Sequence, residues 1–158
     1  GAANQVMGVF HPDLVGIQVR VLQRLGSKHV MIVYGLEGLD EISISGETLV
    51  AELKNDAVRE FTVRPEQFGL APASIESIRA PSGEASRDLM LAALGNEPGP
   101  ARDIVVLNAG AAIYTAGLVA SHEEGVQRAS EVIGSGAARR KLDEFVAFSR
   151  SLAGAARS

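Results

Sequence analysis

The chain alternates between short apolar runs bounded by turn residues and longer stretches whose apolar positions recur every three or four residues. Residues 5–10, Gln-Val-Met-Gly-Val-Phe, predict a first strand. His11-Pro12-Asp13 then starts a helix, with proline placed early, where its missing N–H costs nothing. Leu14, Ile17, Val21, Leu22 and Leu25 follow at helical spacing, and Gly26 closes the helix. Residues 29–33 are short, apolar and rich in β-branched side chains, which predicts a buried parallel strand. The first thirty-odd residues therefore form a β-α-β unit, expected to cross over with right-handed sense.

Beyond residue 41 the period changes. Ile42-Ser43-Ile44-Ser45 alternates with period two before Gly46 turns the chain. Residues 49–53 and 58–63 predict two more strands, joined through the turn signal Asn55-Asp56. They form a small antiparallel excursion on the parallel sheet. The segment 65–72 is an irregular link, because its two prolines stop regular structure.

The remainder is helical. A helix starts at Ser82 or Gly83 and runs to Leu94, ended by the glycine- and proline-rich 95–100. Asp103 is the expected cap of a long apolar helix over 104–120. Ser121-His122-Glu123-Glu124 is a capping box opening a helix to Ile133. Gly134-Ser135-Gly136 lacks a preceding strand and a third glycine, so it is an inter-helix turn and not a phosphate loop. Residues 137–152 form a final amphipathic helix carrying Leu142, Phe145, Val146 and Phe148, and 153–158 a frayed tail. Gly16 and Gly117 lie inside helical patterns and predict close helix packing, since a helical glycine costs about 1 kcal/mol against alanine. The fold class is α/β: part of a parallel-sheet domain with flanking helices and a small antiparallel addition.

The candidate chemistry lies directly after the buried strand. Tyr34-Gly35-Leu36-Glu37-Gly38-Leu39-Asp40-Glu41 is a glycine-punctuated loop at a strand's carboxyl end, where open α/β sheets place ligands. It ends in two adjacent carboxylates with no basic residue beside them. Asp40 and Glu41 thus suit a hard cation, foremost Mg²⁺ carrying a phosphorylated substrate. The bland alternative is a pair of solvated loop residues or the start of an edge strand. His11, His29 and His122 have no partner at metal-ligand spacing and read as structural or solvated. Arg139-Arg140-Lys141 reads as the solvated face of a terminal helix.

Composition narrows the classes. The 158 residues suit one domain with a substantial core. There are no cysteines, so disulfides, thiolate metal sites and thiol nucleophiles are excluded together. Fifteen Lys and Arg against nineteen Asp and Glu give a net charge of −4, and there is no basic run beyond residues 139–141 and no Trp; a nucleic-acid surface is not expected. Neither is a membrane span, and the expected location is the cytoplasm. The chain opens Gly1-Ala2-Ala3-Asn4 and enters a strand at once, which reads as a cut from a longer protein.

Four motifs carry a family resemblance. Residues 5–14, Gln-Val-Met-Gly-Val-Phe-His-Pro-Asp-Leu, look like the segment after the Gly-Pro-Leu-x-Asn-Pro motif of anthranilate phosphoribosyltransferases. Gly38-Leu39-Asp40-Glu41-Ile42-Ser43 resembles that family's Gly-Leu-Asp-Glu signature, and Pro65-Glu66-Gln67-Phe68-Gly69-Leu70 its Pro-x-x-Phe-Gly-Leu link. Residues 102–114 resemble its Arg-Asp-x-hydrophobic-Leu-Asn-Ala helix. Tyr34-Gly35 stands where the family often has His-Gly or His-Ser.

The resemblance implies a cytoplasmic enzyme of tryptophan biosynthesis that transfers phosphoribosyl from phosphoribosyl pyrophosphate (PRPP) to anthranilate. It also implies that Asp40 and Glu41 hold Mg²⁺ on the diphosphate. The complete enzyme is expected to be a homodimer with a helical domain beside the α/β domain. The phosphate loop and the anthranilate-binding arginine of the family would precede Gly1, so no catalytic or substrate-binding residue is carried over. Residues 1–158 would be the C-terminal portion of the α/β domain, inactive alone. A pyrimidine nucleoside phosphorylase relative, or a non-catalytic paralogue that binds nucleic acid, is the alternative.

Overall fold

The computed structural model describes residues 2–155. In chain order the elements are β1 (Asn4–Gly8), α1 (Asp13–Arg24), β2 (His29–Gly35), β3 (Thr48–Lys54), β4 (Ala57–Val63), α2 (Gly83–Leu94), α3 (Pro100–Thr115), α4 (His122–Gly134) and α5 (Ala137–Ala155). Single 3₁₀ turns occupy Pro65–Phe68 and Ile75–Ile78.

The four strands form one sheet in the order β1-β2-β3-β4. β1 and β2 are parallel, with Asn4 opposite His29, and α1 connects them as the β-α-β pattern predicts. The antiparallel strands continue the same sheet: Gly35 lies opposite Thr48, and Lys54 opposite Ala57. The β3–β4 hairpin turns on Asn55 and Asp56, with φ of 52° and 62°. Two consecutive positive φ values match the twist of the flanking strands.

Period two along β2 divides the core. Val30 and Ile32 face α1, where they pack with Val15, Val19, Ala51 and Leu53. Met31 and Val33 face the opposite way, into a larger core with Val50, Val106, Leu107, Ala111 and Val126 from β3, α3 and α4. Both faces of β2 are covered, so its sequence is apolar without alternation.

Several sequence expectations shift. The first strand ends at Gly8, although the Val9 N–H still bonds to the Val33 carbonyl at 3.0 Å. Helix α1 buries Val15 and Val19, while Ile17, Val21 and Leu25 of the expected stripe are exposed. Residues 42–45 form a buried loop and not a strand. The proline-bounded link contains a 3₁₀ turn that begins at Pro65 and ends at Gly69, with φ of 73°. Helix α3 begins at Pro100, so Asp103 sits in its first turn and does not cap it. It ends at Thr115, and Gly117, with φ of 75°, is a stop signal and not a packing glycine. Gly16 faces the side chains of Arg20 and Glu60, not a neighbouring helix. The glycines that let helices meet are Gly110 and Gly125: a Cβ on Gly125 would stand 2.2 Å from the Gly110 carbonyl oxygen. The last helix continues to Ala155, three residues into the expected tail, and residues 156–158 of that tail lie outside the described residues.

Candidate functional site

Strand β2 delivers the chain to the candidate loop. The Gly35 N–H donates to the Leu39 carbonyl at 2.8 Å and the Gly38 N–H to the Gly35 carbonyl at 2.9 Å, closing a tight turn. Gly38 takes a φ of 100°, which a side chain would oppose. Asp40 and Glu41 follow at the exposed crest, and then Ile42, Ser43 and Ile44 are buried completely. The loop also passes tightly over the end of β1, where a Cβ on Gly8 would stand 1.6 Å from the Asp40 carbonyl oxygen.

Buried loop backbone needs partners, and side chains supply them. The Asn108 amide of α3 accepts from the Ile42 N–H at 2.8 Å and donates to the Ile42 carbonyl at 2.9 Å. The Ser43 N–H donates to Thr48 Oγ1 at 2.9 Å. Glu37 accepts from the hydroxyls of Ser43 and Ser45, the latter at 2.7 Å. Burial pushes the Glu37 carboxyl up, but these hydroxyls outweigh it and hold the group below its ordinary range.

Asp40 and Glu41 are not engaged in this way. Among the described residues neither carboxylate takes part in an ion pair or accepts a side-chain hydrogen bond. Partial burial, and then the neighbouring Asp40 charge, raise the Glu41 carboxyl above its ordinary value. Two adjacent, uncompensated carboxylates are a donor set that fits a hard cation. No cluster of three or more His, Cys, Asp or Glu side chains able to hold a metal occurs among the described residues. The pair therefore supplies part of a shell, which suits Mg²⁺ because it keeps waters and phosphate oxygens as its other ligands.

A second polar group lies at the other end of β2, about 20 Å away along six strand residues. Glu52 is 1% exposed. It accepts from Tyr114 Oη at 2.6 Å, His29 Nε2 at 3.1 Å and Arg59 at 2.5 Å. Burial raises the Glu52 carboxyl, yet these donors together keep it below its ordinary value. Burial and the bond to Glu52 push the Tyr114 hydroxyl well up. Lys54 Nζ stands 4.4 Å from the Tyr114 ring centroid and donates to its oxygen at 3.1 Å. A cavity of about 580 Å³ opens between this group and the start of α4, where His122 lies.

Of the three histidines, His29 and His122 are buried and His11 is exposed. His29 belongs to the Glu52 group. His122 donates from Nε2 to the Leu107 carbonyl at 3.0 Å and packs on Phe68, with ring centroids 4.3 Å apart. His11 is exposed and accepts from the Asp13 N–H at 3.3 Å. Arg139 and Lys141 pair with Asp143 and Glu144 on the exposed face of α5. Two features are not evident from the sequence. Asn108 stands inside a family-like motif with no role of its own there, and Glu52 is one more residue of a strand; a lone carboxylate among apolar strand residues is the signal that singles it out.

Residues 1–139 match the model of the glycosyl transferase family, a/b domain. The chain belongs to this family. An anthranilate phosphoribosyltransferase of Methylibium petroleiphilum is 58% identical over 156 residues, covering 99% of this chain and 45% of that protein. The chain thus spans less than half the length of such glycosyl transferase relatives. The crystal structure of the anthranilate phosphoribosyltransferase of Thermus thermophilus superposes with a TM-score of 0.82 at 38% identity, covering 90% of this chain and 42% of that one. The Saccharomyces cerevisiae enzyme in complex with PRPP and Mg superposes with a TM-score of 0.76 at 26% identity, covering 89% and 41%. The α/β fold of this chain is therefore that of the matched part of these solved structures. No helix of its described residues is long and apolar enough to cross a membrane.

Proposed function

We propose that the full-length protein containing this chain is an anthranilate phosphoribosyltransferase whose Mg²⁺ is held by Asp40 and Glu41. The carrying observation is the crest of the β2 loop: two adjacent exposed carboxylates, without an ion-pair partner among the described residues, on a backbone fixed from both sides. Relatives 58% identical carry that activity in their names, and a structural neighbour binds PRPP and Mg.

In the reaction the anthranilate amine attacks C1 of PRPP, the C1–O bond to pyrophosphate breaks, and a proton leaves the nitrogen. Asp40 and Glu41 would hold Mg²⁺, which would supply positive charge against the leaving pyrophosphate. Asp40 and Glu41 act as electrostatic positioners, neither acid nor base. Their exposure leaves room for diphosphate oxygens to complete the shell. Glu37 is kept from the same task by its serine hydroxyls. By the family resemblance, the phosphate- and anthranilate-binding residues lie outside this chain, and the proposal includes that the chain alone is inactive. Homodimer assembly and a cytoplasmic location belong to the same proposal.

The test is the rate of anthranilate consumption by the full-length protein with PRPP and Mg²⁺. Asp40→Asn combined with Glu41→Gln is expected to lower kcat/KM about 100-fold or more, the scale of removing charge stabilisation from a transition state. Wild-type kinetics in that double variant overturn the metal assignment. Absence of turnover in the intact protein overturns the activity.

A further inference from the structure

We infer that Asn108 is the positioning residue of the Asp40–Glu41 pair, an assignment that rests on the cation reading above. Neither carboxylate accepts a side-chain hydrogen bond among the described residues, so their placement derives from the backbone that carries them. Asn108 grips that backbone one residue after Glu41. Its Oδ1 accepts from the Ile42 N–H at 2.8 Å and its Nδ2 donates to the Ile42 carbonyl at 2.9 Å. Nδ2 also donates to the Ile104 carbonyl in its own helix at 3.0 Å. The last bond fixes the amide plane against α3, so the loop is registered to a rigid element and not to a mobile rotamer.

The surroundings make the grip directional. Val106 and Leu107, just before Asn108 in α3, are fully buried in the core. On the other side the Asp40 carbonyl rests against Gly8 of β1. Residues 40–42 are therefore held between β1 and α3, with the two carboxylates at the crest. Glu37 and Thr48 restrain the later part of the loop independently. Removing the Asn108 amide should then free the crest while leaving the loop buried. Partners one shell away from a metal ligand are worth 10–100-fold in affinity when they orient it.

The experiment uses the full-length protein and Mn²⁺ alone, counted by the electron paramagnetic resonance signal of the free ion. Wild type, Asn108→Ala and the Asp40→Asn/Glu41→Gln double variant are compared, each with a melting curve. Asn108→Ala is expected to bind Mn²⁺ about tenfold or more weakly. In turnover it should need correspondingly more Mg²⁺ for half-maximal rate, with the rate approaching wild type at saturation. A purely structural role gives no such rescue by cation. Asn108→Gln, with the same amide one methylene farther out, is measured alongside and is expected to fall between. Wild-type Mn²⁺ affinity in folded Asn108→Ala, with binding lost in the double variant, overturns the positioning role and leaves the cation reading standing. Wild-type Mn²⁺ binding in the double variant overturns the cation reading and this inference with it.

Discussion

A β-carbon on Gly125 would fall 2.2 Å from the Gly110 carbonyl oxygen, and one on Gly110 would fall 2.6 Å from the Val126 nitrogen. Both obstacles are backbone, so no rotamer change relieves them. Gly125→Ala should therefore push α3 from α4 and lower the unfolding free energy by about 1–3 kcal/mol, the range for overpacked cores. Gly134→Ala is the matched control, because its nearest neighbour is 3.9 Å away. It should stay within about 1 kcal/mol of wild type in the same urea titration. Equal effects from the two substitutions would show that the α3–α4 contact does not depend on the missing side chains.

Helix starts show which elements are legible. The capping box before α4 is local, and the structure holds it: Ser121 Oγ accepts from the Glu124 N–H at 3.2 Å, and Glu124 Oε2 accepts from the Ala120 N–H at 2.8 Å. The reciprocal bond falls one residue earlier than the motif implies. Ser121→Ala should cost about 1 kcal/mol, with Ser121→Asn close to wild type, since either polar side chain can accept the bond. A urea midpoint unchanged by the alanine would mean that packing alone sets this boundary. The start of α3 is harder to read, because Gly99-Pro100 serves equally as the end of one helix or the start of the next. Residues 42–45 alternate like a strand, yet their bonds go to Asn108 and Thr48 side chains. That preference cannot be read locally, since Asn108 is 66 residues away.

Across the whole molecule, the sheet and its helices follow from periodicity, whereas the Glu52 group follows from register, which the sequence leaves open. Glu52 lies opposite Arg59, and Lys54 lies opposite both His29 and Ala57, only once β2, β3 and β4 are aligned. This hidden polar layer makes stability depend on pH in two windows. Burial holds the His122 imidazole neutral, with its folded value below the ordinary 6.5 and the Leu107 carbonyl opposing only in part. Below pH 6.5 the unfolded chain takes up a proton there that the fold refuses, so stability falls as pH drops. Glu52 acts in the lower window. Its folded value lies under the ordinary 4.5, so its contribution is complete above 4.5 and disappears as pH falls through the folded value. The urea midpoint should decline from about pH 7.5 to 5.5 and again below about 4.5. His122→Gln, whose amide can still donate to the Leu107 carbonyl, should flatten the first decline and leave the second. Glu52→Gln, which keeps the shape without the charge, should make the second decline shallower, with Glu37 supplying the remainder, and leave the first. A His122→Gln profile that falls as steeply as wild type between about pH 7.5 and 5.5 would place the neutral-range proton elsewhere.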